Sequence, residues 1–285
     1  MLEPLKNAFA SHPRRWREFR YVYPVISRRS QGLSIGINLC PSGSCSFHCT
    51  YCSVERESGE PAAEAPVDLA QLEAELRHLV ATRAQLFDEP GFRGIPPAFQ
   101  RLNYLAFSGD GEPTLSPAFP AAVNVAAAVR HDYGLADVKL VLITNASGLA
   151  QPAVVAALRV LDQHNGEIWA KLDAGTEEYF RQVNRAGLSL QQIIDNLLAA
   201  ARVRPIVLQS MFLRLHGQPP PPPEIAAYVE RVRGLLAGGA RIALVQLYTV
   251  ARHAAEAFVD PLSAVELGRI ADTVRPLGVP VAVFP

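Results

Sequence analysis

From about Leu33 onward, short runs of aliphatic and β-branched residues alternate with longer stretches in which apolar side chains recur every three to four positions. Short β-rich runs suit strands and the longer period suits amphipathic helices, so the alternation predicts repeated βα units around a parallel sheet. Six units are expected, on strands Leu33–Leu39, Leu102–Ser108, Lys139–Thr144, Glu167–Asp173, Ile206–Leu213 and Ile242–Val250, followed by a last short run Val281–Phe284. The expected fold class is α/β, a partial TIM-type (β/α)6 parallel barrel.

Three helices are legible in detail. Asp68 and Gln71 form a capping-box pair ahead of an apolar stripe at Leu69, Leu72, Leu76, Leu79 and Val80. Leu190–Val203 is apolar at Ile193, Ile194, Leu197 and Leu198, and Glu224–Leu236 at Ile225, Tyr228, Val229, Val232 and Leu236. Five prolines, Pro219–Pro223, precede the last of these; they fix an extended segment that reads as a stiff loop at one barrel rim, with Pro223 able to open the helix. Residues 57–66, rich in Glu, Ala and Pro, read as a surface linker. No internal repeat and no boundary between two domains is visible.

Length and composition fit this reading. A chain of 285 residues with 49% hydrophobic content can bury a large core. No apolar run reaches the roughly 18–20 residues of a membrane span, so a soluble, cytoplasmic protein with no membrane partner is expected. The net charge of zero gives no electrostatic case for nucleic acid. Charge is uneven, however: Lys6, Arg14, Arg15, Arg17, Arg20, Arg28 and Arg29 outweigh Glu3 and Glu18, which marks residues 1–30 as a basic N-terminal extension before the barrel of residues 31–285. Such a segment reads as a solvated arm, or as an arm touching substrate or RNA.

The four cysteines fall within thirteen residues, as Cys40, Cys45, Cys49 and Cys52. The last three are spaced C-x3-C-x2-C. Three thiolates on one loop can hold three irons of a 4Fe-4S cubane and leave the fourth iron open, whereas an electron-transfer cluster uses four. A structural zinc site on all four cysteines is the alternative, although zinc ligands usually come as two short pairs with a long spacer.

Other chemistry-bearing residues cluster at the C-terminal ends of the expected strands, where barrels carry their active sites. Ser108-Gly109-Asp110-Gly111-Glu112 follows the second strand, and its glycines allow close backbone approach to a ligand. Thr144 and Asn145 end the third. On the fourth, Trp169, Lys171 and Asp173 share one face, directed at the lumen. Lys171 is one of only three lysines, and in a barrel strand it must be paired, bind an anion or lose its proton. Asp173 is the nearest expected partner. Arg181, Arg185, Arg214, His216, Arg252 and His253 follow later strand ends and suggest an anionic substrate.

Together, the cysteine loop with Tyr51 before its last Cys, Phe107-Ser108-Gly109-Asp110-Gly111-Glu112-Pro113, Thr144-Asn145 and Lys171-Leu172-Asp173-Ala174-Gly175 resemble the radical S-adenosylmethionine (SAM) superfamily. They look like its wyosine-synthase-related, tRNA-imidazoguanosine-synthase-like branch, without the N-terminal cysteines of that branch's second cluster. The resemblance implies a radical SAM core, one 4Fe-4S cluster on Cys45, Cys49 and Cys52, and SAM contacts from Tyr51, Ser108, Gly109, Asp110, Gly111, Glu112, Thr144 and Asn145. It implies Lys171 and Asp173 as catalytic groups, an electron donor such as flavodoxin or ferredoxin, and reductive cleavage of SAM to methionine and a 5'-deoxyadenosyl radical that takes hydrogen from substrate. A small-molecule substrate is favoured over tRNA or protein. The competing expectations are wyosine-type tRNA modification, a glycyl-radical-enzyme activase, and a non-catalytic zinc or iron-sulfur module.

Overall fold

The computed structural model describes residues 3–10, 14, 16–54 and 65–285. Arg15 of the basic segment and residues 57–64 of the expected linker lie outside the described residues. The chain forms two compact units, one of Met1–Cys45, Ser58–Ile143 and Pro152–Glu167, the other of Ser46–Glu57, Thr144–Gln151 and Ile168–Pro285.

The first unit is built on α1 (Glu3–Ala10), β1 (Val22–Ser27), β2 (Gly32–Ile37), α2 (Leu69–Thr82), β3 (Leu102–Phe107), α3 (Phe119–Asp132), β4 (Lys139–Thr144) and α4 (Pro152–Gln163). β2, β3 and β4 are parallel, and β1 runs antiparallel to β2. The segment expected as a basic extension therefore supplies an outer strand of the sheet. Pro24, which has no amide N–H, is tolerated in β1 because this strand has only one neighbour. Its cations are also engaged: Arg14 pairs with Asp110 (3.3 Å) and Arg17 with Glu89 (2.5 Å).

α2 starts as the sequence predicts, but its capping box is one-sided. The Asp68 carboxylate accepts from the amides of Ala70 and Gln71, both at 3.0 Å, whereas the Gln71 side chain donates forward to Glu75 (2.9 Å). Glu75 is buried on the stripe of apolar residues. Its carboxylate accepts from the backbone N–H groups of Arg20, Tyr21 and Val22 at 2.8–3.1 Å. A hydrophobic-pattern reading passes over such a residue, because its role is to satisfy the amides leading into β1.

The second unit carries β5 (Gly166–Lys171, its first two residues counted with the first unit), α5 (Glu177–Asn184), α6 (Leu190–Val203), β6 (Ile206–Met211), β7 (Leu213–Leu215), α7 (Pro222–Ala237), β8 (Ile242–Tyr248), β9 (Val259–Pro261), α8 (Ala264–Val274) and β10 (Val281–Phe284). β5, β6, β8 and β10 are parallel. The expected strand Ile206–Leu213 is divided: β6 stops at Met211, and β7 pairs with β9 in a separate antiparallel ribbon. α7 opens at Pro222 rather than Pro223, and its inner face is Glu224, Tyr228, Val229, Val232 and Leu235, with Ile225 and Leu236 only half-buried.

The hydrogen-bonded strand order is β1-β2-β3-β4 in the first unit and β5-β6-β8-β10 in the second. β2, β3, β4, β5, β6 and β8 are each followed by helix, the six βα units of a partial TIM-type barrel. No helix among the described residues is long and apolar enough to cross a membrane.

Glu75→Ala should expose how much the buried carboxylate contributes. It strands three backbone donors, each bond to a charged group being worth about 1.5–3 kcal/mol, and we expect a loss of about 3 kcal/mol after local relaxation. Urea unfolding followed by circular dichroism measures it; a change below about 1 kcal/mol would show that water replaces the carboxylate.

Candidate functional site

In the first unit, the chain leaving β2 meets the glycine turn that follows β3. Asn38 is buried; its amide donates to Asp110 Oδ2 (2.7 Å) and its Oδ1 accepts from the Cys40 amide (3.1 Å). A Cβ on Gly109 would lie 2.3 Å from Asn38 Oδ1, and one on Gly111 would lie 1.9 Å from the Ser44 carbonyl oxygen. The two glycines are thus required by the cysteine loop itself: the Glu112 amide donates to Ser44 O at 3.0 Å, a contact any side chain at position 111 would obstruct. Cys40 is 2% exposed and donates its S–H to the Glu112 carbonyl (3.5 Å), the behaviour of a structural thiol.

The expected SAM-binding side chains of this turn have structural engagements. Glu112 is buried, and its Oε1 accepts from the Thr114 amide (3.1 Å) and hydroxyl (2.6 Å), capping the turn at Pro113–Leu115. Ser108 Oγ is bonded to the Tyr23 hydroxyl (3.0 Å), and Asp110 holds Arg14 and Asn38.

In the second unit, the rest of the cysteine loop is fastened to the end of α5. Arg185 takes a left-handed conformation (φ 46°) and ends the helix, leaving its last carbonyls without intrahelical partners. The loop amides use them: His48 N–H donates to Asn184 O (3.1 Å) and Thr50 N–H to Val183 O (2.9 Å). The Asn184 side chain donates to Cys49 Sγ (3.5 Å) and to Asp173 Oδ2 (2.9 Å). Burial pushes the Cys49 thiol up to about 12, against the opposing effect of Lys171. Metal binding at this sulfur would displace a proton. His48 is exposed.

Asp173 is the hub of this unit. It is 2% exposed, and it accepts from the Tyr51 hydroxyl and the Asn184 amide on Oδ2 and from the Met211 amide on Oδ1 (2.9 Å). Lys171 Nζ donates to Tyr51 OH (3.0 Å) and Tyr248 OH (2.9 Å), 4.7 Å from the Tyr51 ring centroid. The expected Lys171–Asp173 pair is therefore joined through the Tyr51 phenol. Burial alone would lower the Lys171 pKa, but Tyr248, Asp173 and Cys49 reverse this and hold it above the ordinary lysine value. Burial first, and the Asp173 charge second, also hold the Tyr51 proton in place well above the usual phenol range. The arrangement is a carboxylate, a neutral phenol, an ammonium and a second phenol in sequence.

Thr144 and Asn145, expected near SAM ribose or substrate, serve the backbone and the loop. Thr144 Oγ1 accepts from the Ala146 amide (3.0 Å); Asn145 accepts from the Ser147 amide (2.9 Å) and donates to Ser46 Oγ (3.1 Å). Three of the four arginines expected at an anion-binding rim have carboxylate partners, Arg181 with Glu177, Arg185 with Glu256 and Arg214 with Glu266. Three participants escaped the sequence reading. Asn184 sits eleven residues beyond Asp173 with no motif around it; Tyr248 lies on the expected strand Ile242–Val250 with no motif to mark it; Glu224, buried at the start of α7, clamps the amides of Gly175 (2.5 Å) and Thr176 (3.1 Å). For Glu224 a signal existed, since the apolar positions of α7 extend one turn back onto it.

Comparison with known proteins addresses the fold. No family model matches the chain. A stretch of 185 residues is 28% identical to UPF0026 protein MJ1312 of Methanocaldococcus jannaschii, covering 62% of this chain but 48% of that protein, so the match spans about half of the relative's length. Among solved structures, a radical SAM methyltransferase from Sphaerobacter thermophilus superposes with TM-score 0.59 at 15% identity, covering 92% of this chain and 69% of the other. The chain has the radical SAM fold. A structure of TYW1 with a lysine-pyruvate adduct bound is similar as well, with TM-score 0.54, 16% identity and coverage of 87% and 74%. For a radical SAM fold the donor set fits: none of the four cysteines is in a disulfide, the C-x3-C-x2-C loop follows the first parallel strand, and Cys40 is engaged elsewhere. Among the described residues no three His, Cys, Asp or Glu side chains gather as ligands of one ion. A cubane takes its thiolates on separate irons.

The raised Lys171 pKa has a sign that can be checked. Its folded value lies above the unfolded value of about 10.4, so its stabilising effect is fully present below that pH and fades only as pH rises through the folded value. Lys171→Met should then cost about 3 kcal/mol, equally at about pH 6 and pH 9, in urea unfolding. A penalty that halves between those pH values would mean that the amine is neutral at the upper one.

Proposed function

We propose that this protein is a radical SAM enzyme. The observation that carries the reading is the C-x3-C-x2-C loop directly after β2, the first parallel strand of this fold. Cys45, Cys49 and Cys52 would hold a 4Fe-4S cluster, with Tyr51, the Ser108–Glu112 turn, Thr144 and Asn145 as the SAM-binding set; for the turn, backbone groups are better suited than the engaged side chains. Bound there, the pair supplies reductive cleavage of the sulfonium and hydrogen abstraction from substrate.

The chain's own share is positioning and charge. Lys171 has three N–H groups; two go to Tyr51 and Tyr248, and the third suits an oxygen of the substrate. With Arg181, Arg185 and Arg214 paired to carboxylates, this ammonium is a cation suited to an anion, which supports a small carboxylate or similar oxyanion as substrate. Asp173 keeps the Tyr51 hydroxyl turned toward itself, so the phenol accepts from Lys171 and the cation stays aimed. Its charged state disfavours a Schiff base on Lys171. An oxygen-sensitive cluster suits a cytoplasmic protein served by a flavodoxin- or ferredoxin-type donor.

Anaerobic reconstitution should give about four irons and four sulfides per chain, and reduction should cleave SAM. Cys49→Ala should lose the cluster, while Cys40→Ala, which removes a thiol bonded to the Glu112 carbonyl, should keep it. Stoichiometric zinc without broad visible absorbance, or equal loss of iron in the two variants, would overturn the assignment.

A further inference from the structure

The contact between Asn184 and Cys49 extends the proposed function and rests on it. Asn184 is 1% exposed and closes α5. Its Nδ2 has two hydrogens and two acceptors, Cys49 Sγ and Asp173 Oδ2. Its Oδ1 is buried without a hydrogen-bond partner among the described residues. Leaving a buried amide oxygen unsatisfied costs about 1–3 kcal/mol, so something must hold this orientation. Asp173 does so: turning the amide over would set its oxygen against a carboxylate that has no proton to donate. Asp173 is itself fixed by the Met211 amide and the Tyr51 hydroxyl. The backbone at the same helix end binds the loop on both sides of Cys49, through His48 and Thr50.

We infer that Asn184 is a positioning residue for the cluster, and that its N–H to the Cys49 sulfur, oriented by Asp173, raises the cluster's reduction potential. A hydrogen bond to a ligating sulfur withdraws electron density and favours the reduced, more negative state, one of the levers by which proteins set such potentials. Because the bond is to a cluster ligand, it acts on electron uptake.

Asn184→Leu removes the donor at nearly constant volume. Reconstituted wild type and variant would be compared by spectroelectrochemistry, with iron counted in each. At a fixed solution potential near the wild-type midpoint, we expect the reduced-to-oxidised ratio to fall about tenfold in the variant, equivalent to about 59 mV for a one-electron couple. Thr50→Val, which removes a second tie to α5 (Thr50 Oγ1 to Val183 O, 3.3 Å) but leaves the sulfur bond, should leave the ratio unchanged. An unchanged ratio in Asn184→Leu, or equal shifts in both variants, would overturn the proposal. If Asn184→Leu does not assemble, wild type labelled with side-chain 15N-asparagine decides: pulsed EPR of the reduced cluster should show an asparagine amide coupling, and its absence rejects the contact. A wild type that takes up no iron would instead reject the radical SAM reading itself.

Discussion

One buried carboxylate organises the second unit. Asp173 accepts three hydrogen bonds from three separate parts of the chain: the end of β6 through Met211, the cysteine loop through Tyr51, and the end of α5 through Asn184. Bonds to a charged acceptor contribute about 1.5–3 kcal/mol each, enough to offset the desolvation of a single carboxylate when all three are made. They also share geometry. Tyr51 can accept from Lys171 because its proton is given to Asp173, and Asn184 can present N–H to Cys49 because its amide is held from the same oxygen. Removing the carboxylate would therefore release the loop, the cation and the helix end together.

Glu75 and Glu224 repeat the device in purely structural settings. Each is buried and spends its carboxylate on two or three consecutive backbone amides, Glu75 before β1 and Glu224 in the turn after β5. Amides in irregular chain have no ladder to join, and a side-chain carboxylate satisfies several at once. Glu224 works against desolvation that raises its pKa, with the bonds from Thr176 and Gly175 opposing the rise. Its clamp on residues 175 and 176 fixes where the chain turns just after Asp173, so a residue far from any cysteine helps to set the position of the hub.

These three carboxylates mark the limit of what the sequence could disclose. The parallel strands and helices were legible because their apolar spacing reports burial directly, and the cysteine motif was legible because its three thiols fall within eight residues of one loop. Local conflicts shifted boundaries, as at β6, where the strand breaks before Phe212, and α7, where proline fits the first helical position. The long-range polar contacts were not legible. Tyr51 and Asp173 lie 122 positions apart and Asn184 and Cys49 lie 135 apart, and no periodicity encodes such pairs. The pairing of three rim arginines was hidden for a related reason: Arg181, Arg185 and Arg214 each have an acidic partner four or more residues away, invisible to a count of charges at strand ends. At the glycine turn, the close approach that Gly109 and Gly111 allow is to Asn38 and Ser44.

The charges placed around Cys49 also bear on the chemistry proposed. A helix C-terminus carries the equivalent of about half a negative charge, and the end of α5 directs it at the loop. Asp173 adds a full negative charge and Lys171 a full positive one, so the fixed charge facing this part of the loop sums to about half a unit negative. A negative surrounding disfavours adding an electron to a cluster whose ligands are already anionic, and so drives its potential down. A strongly reducing cluster is what cleavage of a sulfonium demands. The Asn184 N–H opposes that trend by one neutral dipole, which moderates the potential without cancelling it. Replacing Asn184 with a second cation would overshoot, whereas an amide held by a carboxylate gives a small and fixed correction, and this is the physical reason an asparagine suits the position.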